Sequence, residues 1–467
     1  MITCQFENRG KDSLYEYLYK QIKSDILTFR LSPDEKLPSK RSLAKHLNVS
    51  TITVENAYSQ LMAEGYIYSK PKSGFYVSRL QNTSASADIE VKHEYKEVKS
   101  EKKRFQVDFI DNSAVKDSFP FSAWTKLMRE TMSENSQELM VRSPSQGIWE
   151  LRKAISENLM QFRGMSVDPD RIVIGAGTEY LYGLIIQLLG HDKKYAVEDP
   201  GYQKISKIYG ANGVKCVHVP IDDSGIDMSS LENAEPDILH ISPSHHFPTG
   251  IVTPVSKRYE ILAWAGKSEN RYIIEDDYDS EFRMMGKPIP PLQSIDNSGK
   301  VIYINTFSKS LASTIRISYM ILPEELIDRY RSELGFYSCT VSNFEQYTLA
   351  AFIKKGYFEK HINRMRTYYR NQRDSIISAI KKHKYYDRVI IKEENSGLHF
   401  LLWVDTDYSD EELIERASQN GVNISCLSQY YYDRTKSVAN IIIINYSGIP
   451  GDSINQSVEL LFRCIWE

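Results

Sequence analysis

One stretch of this chain has almost nothing to bury, and it sets the architecture. Over residues 81–104, Gln-Asn-Thr-Ser-Ala-Ser-Ala gives way to alternating lysine and glutamate. The charged half, Glu90 to Lys103, carries Glu-to-Lys pairs that favour a transient helix, but it lacks a continuous apolar stripe and reads as a flexible tether. At 467 residues the chain is also too long for one ordinary domain. The linker at 81–104 therefore separates an N-terminal module, 1–80, from a large C-terminal one, 105–467.

Ahead of the tether, Leu14, Tyr17, Leu18, Ile22 and Ile26 recur at helical spacing over Ser13 to Phe29, and Ser39 starts a short helix just after Pro38. Asn48-Val49-Ser50 turns the chain into a third helix, Thr51 to Glu64. That helix puts Val54, Ala57, Tyr58 and Leu61 on one face and is ended by Gly65. Two strand-like runs follow, Tyr66 to Ser69 and Gly74 to Val77, around Lys70-Pro71-Lys72-Ser73. Three helices and a wing make a winged helix-turn-helix. Residues 1–80 hold 12 Lys and Arg against 8 Asp and Glu, a local +4 in a chain of net charge −3. The second helix of such a pair enters the major groove by its N-terminal residues, here Ser50, Thr51, Thr53 and Asn56. Lys40 and Arg41 on the preceding helix and Lys72 in the wing are placed for phosphates, which fix orientation without reading sequence. Solvated lysines on a small helical dimerisation module would show the same charge; the order of elements favours DNA.

Past the tether the pattern changes. Ile172 to Gly175, Lys194 to Val197, Asp237 to Ile241, Tyr272 to Glu275, Val301 to Asn305 and Ile317 to Leu322 are short apolar runs of strand type. They alternate with helical or loop segments such as Glu179 to Leu189 and Tyr202 to Tyr209, which predicts an α/β domain with a largely parallel sheet. From about Asn343 onward, long helices precede strand-like Gly397 to Val404 and Asn440 to Tyr446, a smaller α+β subdomain.

Chemistry-bearing residues gather at the strand ends. Gly175-Ala176-Gly177-Thr178-Glu179 follows a strand and opens a helix, so backbone N–H groups and the Thr178 hydroxyl can cradle a phosphate. Alone, such a turn often serves only tight packing. Ile273 to Asp279 delivers carboxylates where α/β sheets place their ligands, and Asp276 is placed to pair with a protonated pyridine nitrogen. A further strand ends in Asn305-Thr306-Phe307-Ser308-Lys309-Ser310, with Arg316 beyond it. A lysine in such a turn is by default solvated or ion-paired. Converging on one crevice, however, these groups fit pyridoxal 5'-phosphate. Lys309 would bond the cofactor, Asp276 would keep its ring an electron sink, and Thr306, Ser308, Arg316, Thr178 and the Gly177 turn would hold the phosphate.

The 58 Lys and Arg against 61 Asp and Glu argue against a wholly basic nucleic-acid coat and an acidic disordered chain, so DNA binding has to be local. Cys4, Cys216, Cys339, Cys426 and Cys464 stand singly, as in reduced cytosolic proteins, and suit neither a disulfide framework nor a zinc site. No stretch approaches ~18 apolar residues and the first ten carry Gln5, Glu7, Asn8 and Arg9 in place of an apolar signal core, so a soluble, cytoplasmic protein without a membrane partner is expected.

Leu37-Pro38-Ser39-Lys40-Arg41-Ser42-Leu43-Ala44, followed by Val54 to Ile67, closely resembles the winged-helix domain of the GntR family. The larger half resembles fold type I aminotransferases, and more narrowly the aminotransferase-like domain of the MocR regulators, a GntR subgroup. The residues that carry this are Ser143 to Gly147, Gly175 to Glu179, Glu198-Asp199-Pro200-Gly201-Tyr202, Ser242 to Gly250, Ile274 to Phe282, and Thr306 to Tyr319. The resemblance covers nearly the whole chain outside the tether. It implies that Tyr202 stacks on the cofactor ring, that Tyr278 bonds its phenolic oxygen, and that His245 belongs to the pocket. It also implies a head-to-tail homodimer in which each winged helix packs against the partner's large domain. His246 departs from the family's His-Gln.

In amino-acid-sensing members of that group an arginine of the small subdomain clamps the effector's carboxylate, since a planar guanidinium grips it through two hydrogen bonds. Gln429 stands in that place here, with Arg434 nearby, and Lys204 stands where those members use a second arginine. The weaker clamp favours pyridoxal phosphate itself as effector, in a regulator of vitamin B6 synthesis genes and of its own gene. Two alternatives are an amino-acid or amine sensor and a working aminotransferase with an accessory DNA-binding module. The expected partners are double-stranded promoter DNA, pyridoxal phosphate and a second copy of the chain. The aminotransferase-like domain is expected to sense rather than turn over substrate, with room for residual half-transamination and no residue assigned a catalytic role.

Overall fold

Short polar side chains start the N-terminal helices. Ser39 Oγ accepts from Ser42 N (3.2 Å) and Ser50 Oγ from Thr53 N (3.1 Å), so two otherwise unpaired helix-end amides are satisfied at α2 (Lys40–Leu47) and α3 (Thr51–Ala63). The helix before them, α1 (Leu14–Leu27), is begun by Glu16, whose carboxylate accepts from Ser13 N (3.0 Å). Asn48 closes α2 in the left-handed conformation (φ +53°), which asparagine tolerates better than most residues and which aims α3 across α2. Leu18, Ile22, Ile26, Leu43, Val54, Ala57, Tyr58 and Leu61 make the core of this unit, and Tyr58 donates to the Pro38 carbonyl (3.0 Å). The wing is an antiparallel pair, β1 (Ile67–Lys70) and β2 (Gly74–Val77), with Tyr68 stacked beside Tyr76.

The computed structural model describes residues 2, 4, 6, 9–80, 105–111, 118–283, 289–394 and 397–467, and it separates into two compact units, Met1–Glu101 and Lys102–Glu467. The tether expected over 81–104 lies outside the described residues.

The second unit opens with the short strand β3 (Val107–Asp108) and the helices α4 (Phe121–Glu134) and α5 (Trp149–Arg163). Strands and helices then alternate through β4 (Ile172–Gly175), α6 (Thr178–Leu189), β5 (Lys194–Asp199), α7 (Gln203–Ala211), β6 (Lys215–Asp222), β7 (Gly225–Ile226), α8 (Met228–Ala234), β8 (Ile238–Ile241), α9 (Val255–Gly266) and β9 (Tyr272–Asp276). They continue as β10 (Val301–Thr306), the one-turn α10 (Phe307–Ser310), β11 (Ser318–Ile321) and α11 (Glu324–Glu333). The sheet order is β4-β11-β10-β9-β8-β5-β6-β7. Strands β10, β9, β8, β5 and β6 run parallel, whereas β11 is antiparallel to both its neighbours. The connection through α10 is too short for the crossover that a parallel pair needs, so the Ile317 to Leu322 strand has to fold back. Helices cover both faces: Val173, Ile302, Ile304 and Met320 pack with Leu181, Ile185 and Tyr330, while Ile172, Ile174, Tyr303 and Ile321 pack with Leu151, Ile155 and Leu349. Burial on both faces explains why these strands read as continuous apolar runs.

The chain continues through α12 (Asn343–Lys354), α13 (Tyr357–Lys382), β12 (Val389–Lys392), β13 (His399–Val404), α14 (Asp410–Gln419), β14 (Val422–Asn423), β15 (Ser425–Cys426), β16 (Ile441–Asn445) and α15 (Ile454–Trp466). The small subdomain is an antiparallel sheet, β12-β13-β16-β15, covered by α13, α14 and α15. Its limits differ from the sequence reading in two ways. Helix α12 packs on α4 and α5, beside the large sheet, and β3 pairs in parallel with β14, Val107 opposite Val422. A pairing across more than three hundred residues leaves no local signature in the sequence.

Candidate functional site

A cavity of about 750 Å³ opens at the C-terminal ends of the central strands, in the upper part of the range for small-molecule sites. Asp276 ends β9 and is 7% exposed on the cavity wall. Tyr182 donates to its Oδ2 (2.5 Å), and His240 Nε2 stands 3.7 Å from the same oxygen. Tyr209 Oη lies 2.7 Å from His240 Nδ1; with the phenol as donor the ring proton sits on Nε2, facing the carboxylate. Oδ1 of Asp276 finds no hydrogen-bond partner among the described residues although it is buried, a costly arrangement unless something in the cavity satisfies it. The sequence reading missed Tyr182, Tyr209 and His240. Tyr182 did carry a signal, since it lies one turn beyond Thr178 on α6 and so shares its face.

Lys309 lines the cavity from α10. Burial lowers its amine to about 8, against the opposing pull of Asp279 and Asp111, so more of it is unprotonated at neutral pH than of an exposed lysine. Thr306 and Ser308 line the cavity too, but their hydroxyls already have partners. Thr306 Oγ1 caps α10 by accepting from Ser308 N (3.1 Å), and Ser308 Oγ donates its proton to the Ile315 carbonyl (2.8 Å). In this arrangement both donors of Ser308 are occupied, its backbone N–H by Thr306 Oγ1 and its hydroxyl by the Ile315 carbonyl.

Gly177 has φ +91°, a conformation L side chains rarely adopt, and the flexible Arg316 guanidinium crosses over it. The turn therefore requires glycine, and it places the Thr178 end of α6, with its unpaired amides, beside Arg316 at the cavity edge. Glu179 bridges the edge: Lys204 donates to its carboxylate and Arg316 stands 3.7 Å away. These charges hold Glu179 below the usual carboxylate range, Lys204 foremost. Tyr202, half exposed, meets Phe247 edge-on at 5.9 Å between ring centres.

His245 does not line the large cavity. It lies behind Tyr278, in a small void with Arg163, Asp279 and Gly397, where its Nδ1 is 2.8 Å from Asp279 Oδ2 and 3.1 Å from the Tyr278 hydroxyl. One nitrogen cannot both donate to the carboxylate and accept from the phenol. When His245 Nδ1 donates to Asp279, it has no lone pair left to accept from the Tyr278 hydroxyl. The cavity wall carries His246 instead, 3.5 Å from Glu198. Burial lowers His246 to about 3 and raises Glu198 to about 8, so this pair is neutral near pH 7. Gln429 is a further correction. Its Oε1 accepts from Cys426 N (3.1 Å) in a capping arrangement of its own turn, and its side chain lies in a separate groove with Glu411 and Glu415. Arg434 and Lys204 do line the large cavity, with Tyr430, Tyr431 and Tyr432.

In the first unit the predicted DNA-facing residues divide. Arg41, Thr51, Asn56 and Lys72 are exposed. Ser50 and Thr53 are occupied with each other, Oγ to Oγ1 at 2.8 Å, as part of the α3 cap. Lys40 is bonded to Glu55 (2.6 Å) and lies over the Phe75 ring. No described helix is long and apolar enough to cross a membrane, and no described cluster of His, Cys, Asp and Glu could hold a metal ion.

Residues 111–441 match the family model for aminotransferase class I and II, and residues 14–77 match that for bacterial regulatory proteins of the gntR family. The uncharacterized HTH-type transcriptional regulator YdeL of Bacillus subtilis is 38% identical over 470 residues, covering 100% of each chain. The probable rhizopine catabolism regulatory protein MocR of Rhizobium meliloti is 29% identical over 96% of this chain and 93% of its own. The HTH-type pyridoxine biosynthesis transcriptional regulator PdxR of Corynebacterium glutamicum is 28% identical over 90% and 89%. The multiple substrate aminotransferase of Thermococcus profundus superposes with a TM-score of 0.67 at 22% identity, over 78% of this chain and 92% of that one, a likeness of fold. The chain belongs to the aminotransferase class I and II family and, with its GntR-type DNA-binding domain, to the MocR group of transcription regulators, whose cofactor is pyridoxal phosphate.

Proposed function

We propose that this regulator uses pyridoxal phosphate as its signal, binding promoter DNA differently with and without it, and that it controls vitamin B6 synthesis genes together with its own gene. One asymmetry in the cavity supports the reading: groups suited to a pyridine phosphate line it together, whereas Gln429, at the expected place of a carboxylate clamp, turns away from it. Asp276 offers its unpartnered Oδ1 to a protonated ring nitrogen. Lys309 offers an amine lowered towards neutrality for the cofactor's aldehyde. On this reading the Gly177 turn, Thr178 and Arg316, with Thr306 and Ser308, would hold the phosphate, and Tyr202 and Tyr278 would flank the ring; all but Gly177 line the cavity. Bound there, the cofactor supplies an electron-withdrawing ring and a carbonyl that condenses with amines.

On the other side, Gln429 turns its side chain to its own backbone, and Lys204 is engaged by Glu179. Without a clamp the domain senses rather than turns over substrate, in a head-to-tail homodimer. The relative named for pyridoxine biosynthesis regulation points the same way. A second reading, an amine or amino-acid sensor, is favoured by Arg434, a guanidinium on the cavity wall whose carboxylate neighbour, Glu411, is 4.0 Å distant.

The test combines the absorbance of the purified chain, its affinity for promoter DNA and an assay for keto acids. The expected result is a visible band with added pyridoxal phosphate that is missing in Lys309→Ala, promoter affinity altered by the cofactor alone, and no keto acid from any amino donor. A DNA response that requires an added amine selects the second reading. Steady keto-acid formation overturns both.

A further inference from the structure

The helix that should face DNA has an unusual exposed side. Val54, Ala57, Tyr58 and Leu61 of α3 are wholly buried, which turns Ile52, Glu55, Asn56 and Ser59 outward at the i, i+3, i+4, i+7 spacing of one stripe. At 68% exposed, Ile52 sits in the first turn and takes no part in the core of the unit. The helix, Thr51–Ala63, contains no Lys or Arg at all. The basic residues of this unit lie elsewhere, with Arg41 and Lys45 exposed on α2 and Lys72 at the wing turn. Glu55, the one carboxylate of the stripe, is tied back by Lys40.

That chemistry restricts what the stripe can recognise. The commonest contact to guanine is a bidentate Arg or Lys, which α3 lacks. Glu55 is paired with Lys40 and would have to give up that partner to accept from cytosine. An aliphatic side chain complements the 5-methyl of thymine, and an asparagine complements the N6/N7 edge of adenine. Residues four apart on a helix stand roughly 5–6 Å apart, on the scale of one to two base-pair steps of ~3.4 Å. We infer that α3 reads A·T pairs in the major groove, with Ile52 packed on a thymine methyl and Asn56 bonded to an adenine on the same or the next pair, while α2 and the wing hold phosphates. The inference rests on the reading that this unit binds DNA, and it names Ile52 as a determinant of sequence.

The experiment starts from an operator selected out of a randomised duplex pool by the full-length protein loaded with pyridoxal phosphate. Each thymine of that operator is then replaced singly by uracil, which removes the methyl and keeps the pairing. Uracil at one thymine per half-site should weaken binding by about fourfold, the value of burying one methyl-sized group. In Ile52→Ala, whose side chain is exposed and outside the core, the same replacement should cost nothing. Asn56→Ala should relax the adenine requirement at the neighbouring position. Failure to select any duplex would overturn DNA binding itself. An operator bound tightly but indifferent to uracil everywhere, or an Ile52→Ala protein that keeps the full uracil penalty, would overturn the role given to Ile52 and leave DNA binding standing.

Discussion

The floor of the cavity and its rim are built by different rules. At the floor, Asp276 is fixed by Tyr182 and backed by His240 and Tyr209, all buried, and His245 and Asp279 stand behind Tyr278. At the rim, Lys204, Arg316 and Glu179 each have about half of their side chains exposed, at 49%, 49% and 48%, and both cations meet Glu179. Buried polar groups with fixed partners have one arrangement, because losing any partner leaves an unpaired group in a poor dielectric. Half-exposed ion pairs are worth little individually and exchange partners cheaply. The floor is thus organised in advance for one ligand, whereas the rim can respond to what arrives.

The sharpest way to break this contrast is at Lys309. Lys309→Ala should abolish the visible band of the bound cofactor, measured by absorbance titration; a surviving band would place the covalent bond elsewhere. Next is Gly177→Ala, which forces an alanine into φ +91° and against Arg316. The strain alone is of order 1–3 kcal/mol, so cofactor affinity should fall by roughly tenfold, whereas an unchanged affinity would mean the turn is not part of the site.

The rate of cofactor loading should depend on pH with a definite sign. Only the neutral amine attacks a carbonyl, and burial lowers Lys309 to about 8. Stopped-flow absorbance should therefore show loading about fivefold faster at pH 8 than at pH 7 and levelling above that. A rise that continues to pH 10 would mean an amine of ordinary basicity. The smallest effect belongs to the rim. Glu179→Gln removes the carboxylate that competes for Lys204 and Arg316, and cofactor affinity should rise two- to threefold in low salt, with the gain screened away in high salt.

The two units were legible to different degrees for physical reasons. In the first, the determinants are contiguous: the Ser39 and Ser50 caps, the Asn48 turn and the buried face of α3 each rest on a few neighbouring residues. The chemistry of the exposed face was less visible. The partnership of Ser50 with Thr53 and of Lys40 with Glu55 depends on rotamers and on a contact between helices, which a pattern does not reveal. In the second unit, the strand ends carrying Asp276 and Lys309 could be found from apolar runs closed by polar residues. Their supporting groups could not. His240 reads as one polar residue in a buried strand, and Tyr209 as helix filler; only the sheet order, with β8 beside β9, brings them behind Asp276. Gln429 shows the converse. Its position in the chain suggested the cavity, but a local capping turn redirects its side chain.

The most direct measurement of whether the cofactor itself is the signal is operator affinity, by fluorescence anisotropy, for the full-length protein freed of pyridoxal phosphate and then reloaded, with Lys309→Ala alongside and amino acids rigorously absent. A sensor of the cofactor shows a clear change in affinity or in the stoichiometry of binding on reloading, and none in Lys309→Ala. Identical binding curves for the free and reloaded wild-type protein, with a shift that appears only when an amine is added, would contradict that assignment.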